Sequence, residues 1–153
     1  MAIVRTAGTE IIRSIHLENV TNPETKVIIG VQHHIYTVLS ITCFANGLAA
    51  AGNFIRAKLW GYDTFGGTTA QIHYIFRQDM QLYQTFVWDN KFSFNGYEPI
   101  DFTATLDSVA KQDAIADQGS SVAQYLTLEA EAGGDTFDCT VTYIDQNNSQ
   151  EKP

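Results

Sequence analysis

The sequence predicts an all-β protein, an antiparallel β-sandwich of jelly-roll-like or immunoglobulin-like form with roughly eight to ten strands, on three observations. Strand-length segments whose apolar residues alternate with polar ones run almost from end to end. The clearest is Phe137, Cys139, Val141 and Tyr143 interleaved with Asp138, Thr140 and Thr142, a period of two that places each set on one face of a strand. Short turn pairs such as Asp89-Asn90 and Asn95-Gly96 separate the segments, and no long stretch carries the 3.6-residue period of an amphipathic helix.

The elements follow in order. Residues 10–18 form the first strand, with Ile11, Ile15 and Leu17 on a face with Arg13, and Ser14, His16 and Glu18 on the other. Asn22-Pro23 turns the chain, residues 26–29 make a short apolar strand, and Gly30 lets the chain bend into a long strand at 34–45. There Ile35, Leu39, Ile41 and Cys43 are expected on one face and Tyr36, Val38 and Phe44 on the other, so this strand is central. After a small-residue loop, residues 54–62 alternate Ile55, Ala57 and Leu59 with Arg56, Lys58 and Trp60, which predicts a strand with one wet face.

Beyond the Gly66-Gly67 loop, Ile72, Tyr74 and Phe76 mark another amphipathic strand. Residues 82–88, 91–94 and 98–106 are expected to complete a meander, with Pro99 at an edge or strand start. Residues 107–119 read as a long loop. Strands at 122–130 and 137–145 are expected to form a hairpin through Gly133-Gly134. The resulting organisation is a flexible N-terminal arm at 1–9, a single sandwich domain at 10–145 and a mobile polar tail at 146–153.

Composition narrows the function classes. With 44% apolar, 12% aromatic and 17% charged residues, the chain is globular and aromatic-rich for its charge. Its net charge of -8 opposes binding to nucleic-acid phosphates, which requires a basic surface. Neither a secretion signal nor a membrane span is expected, so Cys43 and Cys139, which could face each other across the sandwich, are expected as free buried thiols in a reducing cytoplasm.

Motifs for chemistry are weak throughout. Adjacent strand residues point to opposite faces, so His33 and His34 cannot chelate as a unit, and no cysteine or carboxylate stands beside them at ligand spacing. No metal site is assigned. A nucleophile elbow, a calcium loop and a phosphate-binding glycine loop are also missing, so no catalytic residue, enzyme activity or cofactor is assigned. What remains is an aromatic surplus, of which roughly two in three should be plain core. Trp60, Tyr62, Phe65 and Tyr97 are the candidate contact residues, because flat rings give large buried area at small entropic cost.

The strings His33-His34-Ile35-Tyr36-Thr37-Val38, Tyr83-x-x-Phe86-Val87-Trp88-Asp89-Asn90-Lys91-Phe92-Ser93-Phe94 and Phe137-x-Cys139-x-Val141-Thr142-Tyr143 resemble small β-sandwich virion proteins of tailed bacteriophages, over about residues 33–145. This resemblance implies a capsid decoration or cement protein, or a neck or tail accessory protein, assembled in the host cytoplasm into the virion. It implies contacts with the major capsid protein or another virion protein and a homo-oligomer, a trimer being favoured, with no nucleic-acid or membrane partner. The residues alone leave a carbohydrate-binding module open, in which Trp60, Tyr62 and Phe65 would stack on sugar rings.

Overall fold

The structure, a computed structural model, describes residues 8–63, 70–97, 107–110 and 123–148, with the side chains of 62, 63, 70 and 71 left aside. Of the expected arm at 1–9, strand at 98–106, loop at 107–119 and tail at 146–153, residues 1–7, 98–106, 111–119 and 149–153 lie outside the described residues. Among the described residues nine strands are formed: Thr9–Val20 (β1), Thr25–Ile29 (β2), His34–Gly47 (β3), Phe54–Asp63 (β4), Ala70–Asp79 (β5), Thr85–Trp88 (β6), Phe92–Asn95 (β7), Tyr125–Ala130 (β8) and Thr136–Asn147 (β9). They make two antiparallel sheets. The first, sheet A, runs β1-β9-β3-β6 with β7 also on β3, and the second, sheet B, runs β2-β8-β4-β5.

The chain changes sheet at every connection except β4 to β5 and β6 to β7. First strand beside last, last beside third, and second beside eighth is the order of a double-sheet jelly roll, which decides between the two sandwich forms the sequence allowed. Its sixth-position strand is split. β6 pairs with Ile41–Phe44 and β7 with Ile35–Val38, so the two lie end to end along β3 instead of forming the expected meander. The break falls at Asp89-Asn90, where the chain leaves the ladder.

Two further expectations are corrected. β8 and β9 belong to different sheets, so residues 131–135 form a connection between sheets and not a hairpin. Its clamp is Asp135, fully buried, whose carboxylate accepts from the Ala49 and Ala132 amides at 2.7 and 2.9 Å and from Asn53 Nδ2 at 3.1 and 3.2 Å. Cys43 and Cys139 sit directly opposite each other on β3 and β9 within sheet A, not across the sandwich. Both are free and fully buried, and the neighbouring thiol together with burial pushes Cys43 far above its ordinary value.

The core lies between the sheets, where Ile41, Cys43, Phe137, Cys139 and Val141 of sheet A meet Ile55, Leu59, Leu126 and Leu128 of sheet B. Strand β3 departs from the expected facing because its register with β9 shifts between Val38 and Ser40. One extra residue reverses the alternation. Tyr36 and Val38 thereby join Ile41, Cys43 and Ala45 on the buried face, and Ile35 and Leu39 do not. Much of the aromatic surplus forms a chain of ring contacts inside the sandwich. It runs from Phe76 through Trp88, Phe92, Phe94 and Tyr36 to Tyr143, with centroids 5.3–6.2 Å apart.

The sheets are joined at one corner by a run of backbone hydrogen bonds. Gly96 N–H donates to His34 O at 2.7 Å, Gln124 N–H to Gly96 O at 2.8 Å, and Gly30 N–H to Gln124 O at 2.8 Å. A Cβ on Gly30 would lie 1.8 Å from Gly96 O, and one on Gly96 would lie 1.8 Å from Val31 O. Both glycines therefore serve close approach, where the sequence suggested bends.

Candidate functional site

The outer face of sheet B is where chemistry concentrates. Register across β2, β8, β4 and β5 aligns its outward side chains in three rows. Ile29, Tyr125, Trp60 and Ile72 form the first, Lys26, Thr127, Lys58 and Tyr74 the second, and Glu129, Arg56 and Arg77 the third. Strand alternation on β4 and β8 sends Leu59 and Leu126 inwards and these partners outwards.

Glu24, in the turn before β2, ties the rows together. Its Oε2 accepts from Trp60 Nε1 at 3.1 Å and Thr127 Oγ1 at 2.9 Å, and pairs with Lys58 Nζ at 2.8 Å. Burial pushes the Glu24 carboxyl up, but the hydrogen bonds from Lys58, Thr127 and Trp60, with the Lys58 charge, outweigh it and leave the group below its ordinary value. Lys58 also lies 3.5 Å from Glu129 Oε2, and Glu129 in turn accepts from Arg56 Nε at 2.6 Å. The expected wet face is thus corrected: Lys58 is only 6% exposed, because carboxylates from two neighbouring segments cover and neutralise it.

The rings of this face are stacked between cations. Trp60 and Tyr125 lie 12° apart in plane with centroids at 5.9 Å. Lys26 Nζ sits 4.7 Å over Tyr125, and Lys58 Nζ 5.1 Å over Trp60. Phe54 is held between Arg56 and Arg77, at 5.1 and 4.2 Å. These are cation–π distances. The periphery is left open to solvent, with Ile29 59% and Tyr74 58% exposed.

Of the expected contact residues, Trp60 lies at the centre of this face. Tyr62 follows it on β4 with its side chain outside the description, and Phe65 lies outside the described residues. Tyr97 is half-buried at the glycine corner, bridged to Ala123 and accepting from Gln124 Nε2 at 3.4 Å through its carbonyl. Tyr125, Lys26, Lys58 and Glu24 were missed. The signal available for Tyr125 was its alternation with Thr127 and Glu129 against Leu126 and Leu128.

A second polar cluster stands at the other sheet. His34 Nδ1 lies 2.6 Å from Asp145 Oδ1, and Arg13 Nε 3.4 Å from Asp145 Oδ2. The neighbouring Tyr36 hydroxyl accepts from the Val31 amide at 3.1 Å, and burial, with the Asp145 charge adding to it, pushes it up to about 12. No nucleophile accompanies this pair in the hydrogen-bond network described, and among the described residues no three His, Cys, Asp or Glu side chains gather as metal ligands.

No family model matches the chain, and no curated protein matches its sequence. Solved structures with a similar strand arrangement include Bacillus endospore appendages, described as disulfide-linked pili, at 8% identity and a TM-score of 0.41, covering 97% of both chains. Another is infectious bursal disease virus, Gx strain, at 6% identity and a TM-score of 0.42, covering 99% of this chain and 34% of that one. A third is the CBM22-1–GH10 part of Clostridium thermocellum xylanase 10B complexed with xylohexaose, at 10% identity and a TM-score of 0.42, covering 100% and 30%. The chain spans about a third of the length of the latter two. At these identities and scores the likeness carries no argument about function.

Proposed function

We propose that this chain is a structural virion protein of a tailed phage, a capsid decoration protein that stabilises the shell by protein–protein contacts in which the outer face of sheet B takes part. The observation that carries this reading is the state of the rings on that face. A sugar needs an open ring face to stack on, and here Lys26 and Trp60 already lie against Tyr125 while Lys58 lies over Trp60. An apolar centre of Trp60 and Tyr125, rimmed by Lys26, Arg77, Ile29 and Tyr74, has the composition of a protein interface instead.

The net charge of -8 supports the same reading, since it keeps the protein off a packaged genome. No catalytic role belongs to it. Jelly rolls serve viral capsids and lectins alike, so the fold supports a surface role without choosing between them. A neck or tail accessory protein is the same reading at another place on the particle.

Co-sedimentation with phage capsids tests it. The wild-type chain is expected to travel with the shell, and Ile29→Asp and Trp60→Ala to reduce its retention. Retention unchanged in both variants would remove sheet B from the contact. Glycan binding that Trp60→Ala abolishes would replace the proposal with a carbohydrate-binding module.

A further inference from the structure

The two outer faces of the sandwich differ in charge. Sheet B presents Lys26, Arg56, Lys58 and Arg77, four of the nine basic residues, against Glu24, Glu129 and Asp79. The strands of sheet A place no lysine or arginine on their outer face. They carry Glu10, Glu18 and Asp138 there, among the hydroxyls of Ser14, Thr140 and Thr142, the imidazole of His16 and the exposed Ile12 and Val87. A chain of net charge -8 thus keeps one face locally basic and aromatic, and the opposite face acidic and hydroxyl-rich.

From this complementarity we infer that the occupant of sheet B's outer face is a second copy of this chain, docked through the outer face of its sheet A. The inference rests on the reading that sheet B is a protein-contact surface and names its partner. Tyr and Trp against Ser and Thr is a pairing in which rigid rings supply area and hydroxyls supply adaptable hydrogen bonds. Lys26 and Arg77, at the exposed rim, meet Glu10 and Glu18, so the charges steer and align the contact more than they tighten it.

Dimensions suit a weak contact. The 5, 6, 10 and 10 residues of β2, β8, β4 and β5, at about 3.3 Å per residue and about 4.8 Å between strands, give a face of roughly 500 Å², the size of a transient interface. The contact is heterologous, and because the two faces of a sandwich point in opposite directions it adds copies in a row and does not close a ring.

Sedimentation velocity of the full chain, from micromolar to millimolar concentration, tests the stacking. The weight-average mass is expected to rise continuously with concentration and to fall on raising salt, which screens the rim charges. A Lys26→Glu/Arg77→Glu variant is expected to associate about tenfold more weakly. Mixing it with a Glu10→Lys/Glu18→Lys variant is expected to restore association that neither shows alone. All four positions are on the surface, and circular dichroism of each variant verifies the fold. A constant monomer mass, a discrete closed trimer, or no recovery on mixing would overturn the inference. A monomer that still binds capsids overturns stacking alone, and one that binds neither overturns the capsid reading as well.

Discussion

The outer faces of the two sheets are written in the same alternation and built on different physics. On sheet A the outward side chains meet in separate pairs, the hydroxyls of Ser14 and Thr142 at 3.1 Å and of Thr37 and Ser93 at 2.9 Å, and the His16 imidazole with the Thr140 hydroxyl at 2.9 Å. On sheet B they join into one network, in which Glu24 and Glu129 hold Lys58, Arg56, Thr127 and Trp60. The hydroxyl face keeps its contact with water and loses little when one pair is broken. The ionic face has buried its central ammonium and depends on every partner, because an unpaired buried charge costs far more than a paired one gains.

Removing that ammonium is the strongest way to expose the difference. Lys58→Ala leaves Glu24 and Glu129 facing each other with no cation between them. The expected loss is roughly 3 kcal/mol, the low end for breaking a buried pair, since Glu24 retains some water. Thr140→Ala on the other face is expected to stay within about 0.5 kcal/mol. Urea unfolding of both variants measures the contrast. Equal losses would mean that the ionic face is as wet as its partner.

The sequence made most of the strands legible and the neighbours much less so. Phe137, Cys139, Val141 and Tyr143 all face the core as their alternation requires, because at every register shift along β9 the extra residue lies in the partner strand, β1 or β3, and leaves β9's own alternation unbroken. In β3 the same logic failed at Leu39, where a shift in register reversed the faces; nothing in the local sequence announces a bulge of that kind. The thiols were read as buried correctly, but their adjacency on β3 and β9 depends on a pairing between strands far apart in the chain. Trp60 was singled out from its strand alone. Tyr125 and Glu24 reach it only through strand pairing and a turn, a contact that no single segment encodes.

A charge-neutralising change on the ionic face should have a smaller effect and a definite pH dependence. Glu24→Gln keeps the shape but gives up the charge facing Lys58, and the expected loss at neutral pH is about 1 kcal/mol, because Glu129 still pairs the lysine. The Glu24 carboxyl is held below its ordinary value of 4.5 in the folded state. Its contribution is therefore fully present above that value and disappears as pH falls through the lower folded one. Thermal unfolding of wild type and variant from neutral to strongly acidic pH should show two curves that converge at the acid end. A gap that stayed constant would assign the loss to packing and not to ionisation.

The finest test asks whether the hydroxyl pairs of sheet A are coupled at all. A double-mutant cycle over Ser14→Ala and Thr142→Ala is expected to give a coupling of about 0.3 kcal/mol, the scale of an exposed cross-strand pair that exchanges water for a neighbour. The corresponding cycle over Glu24→Gln and Lys58→Met should give a coupling several times larger, since each single change leaves its partner's polar group in partly dry surroundings. If the two cycles returned the same value, burial of Lys58 would have no energetic consequence, and the distinction between a face of independent pairs and a face built as one network would fail.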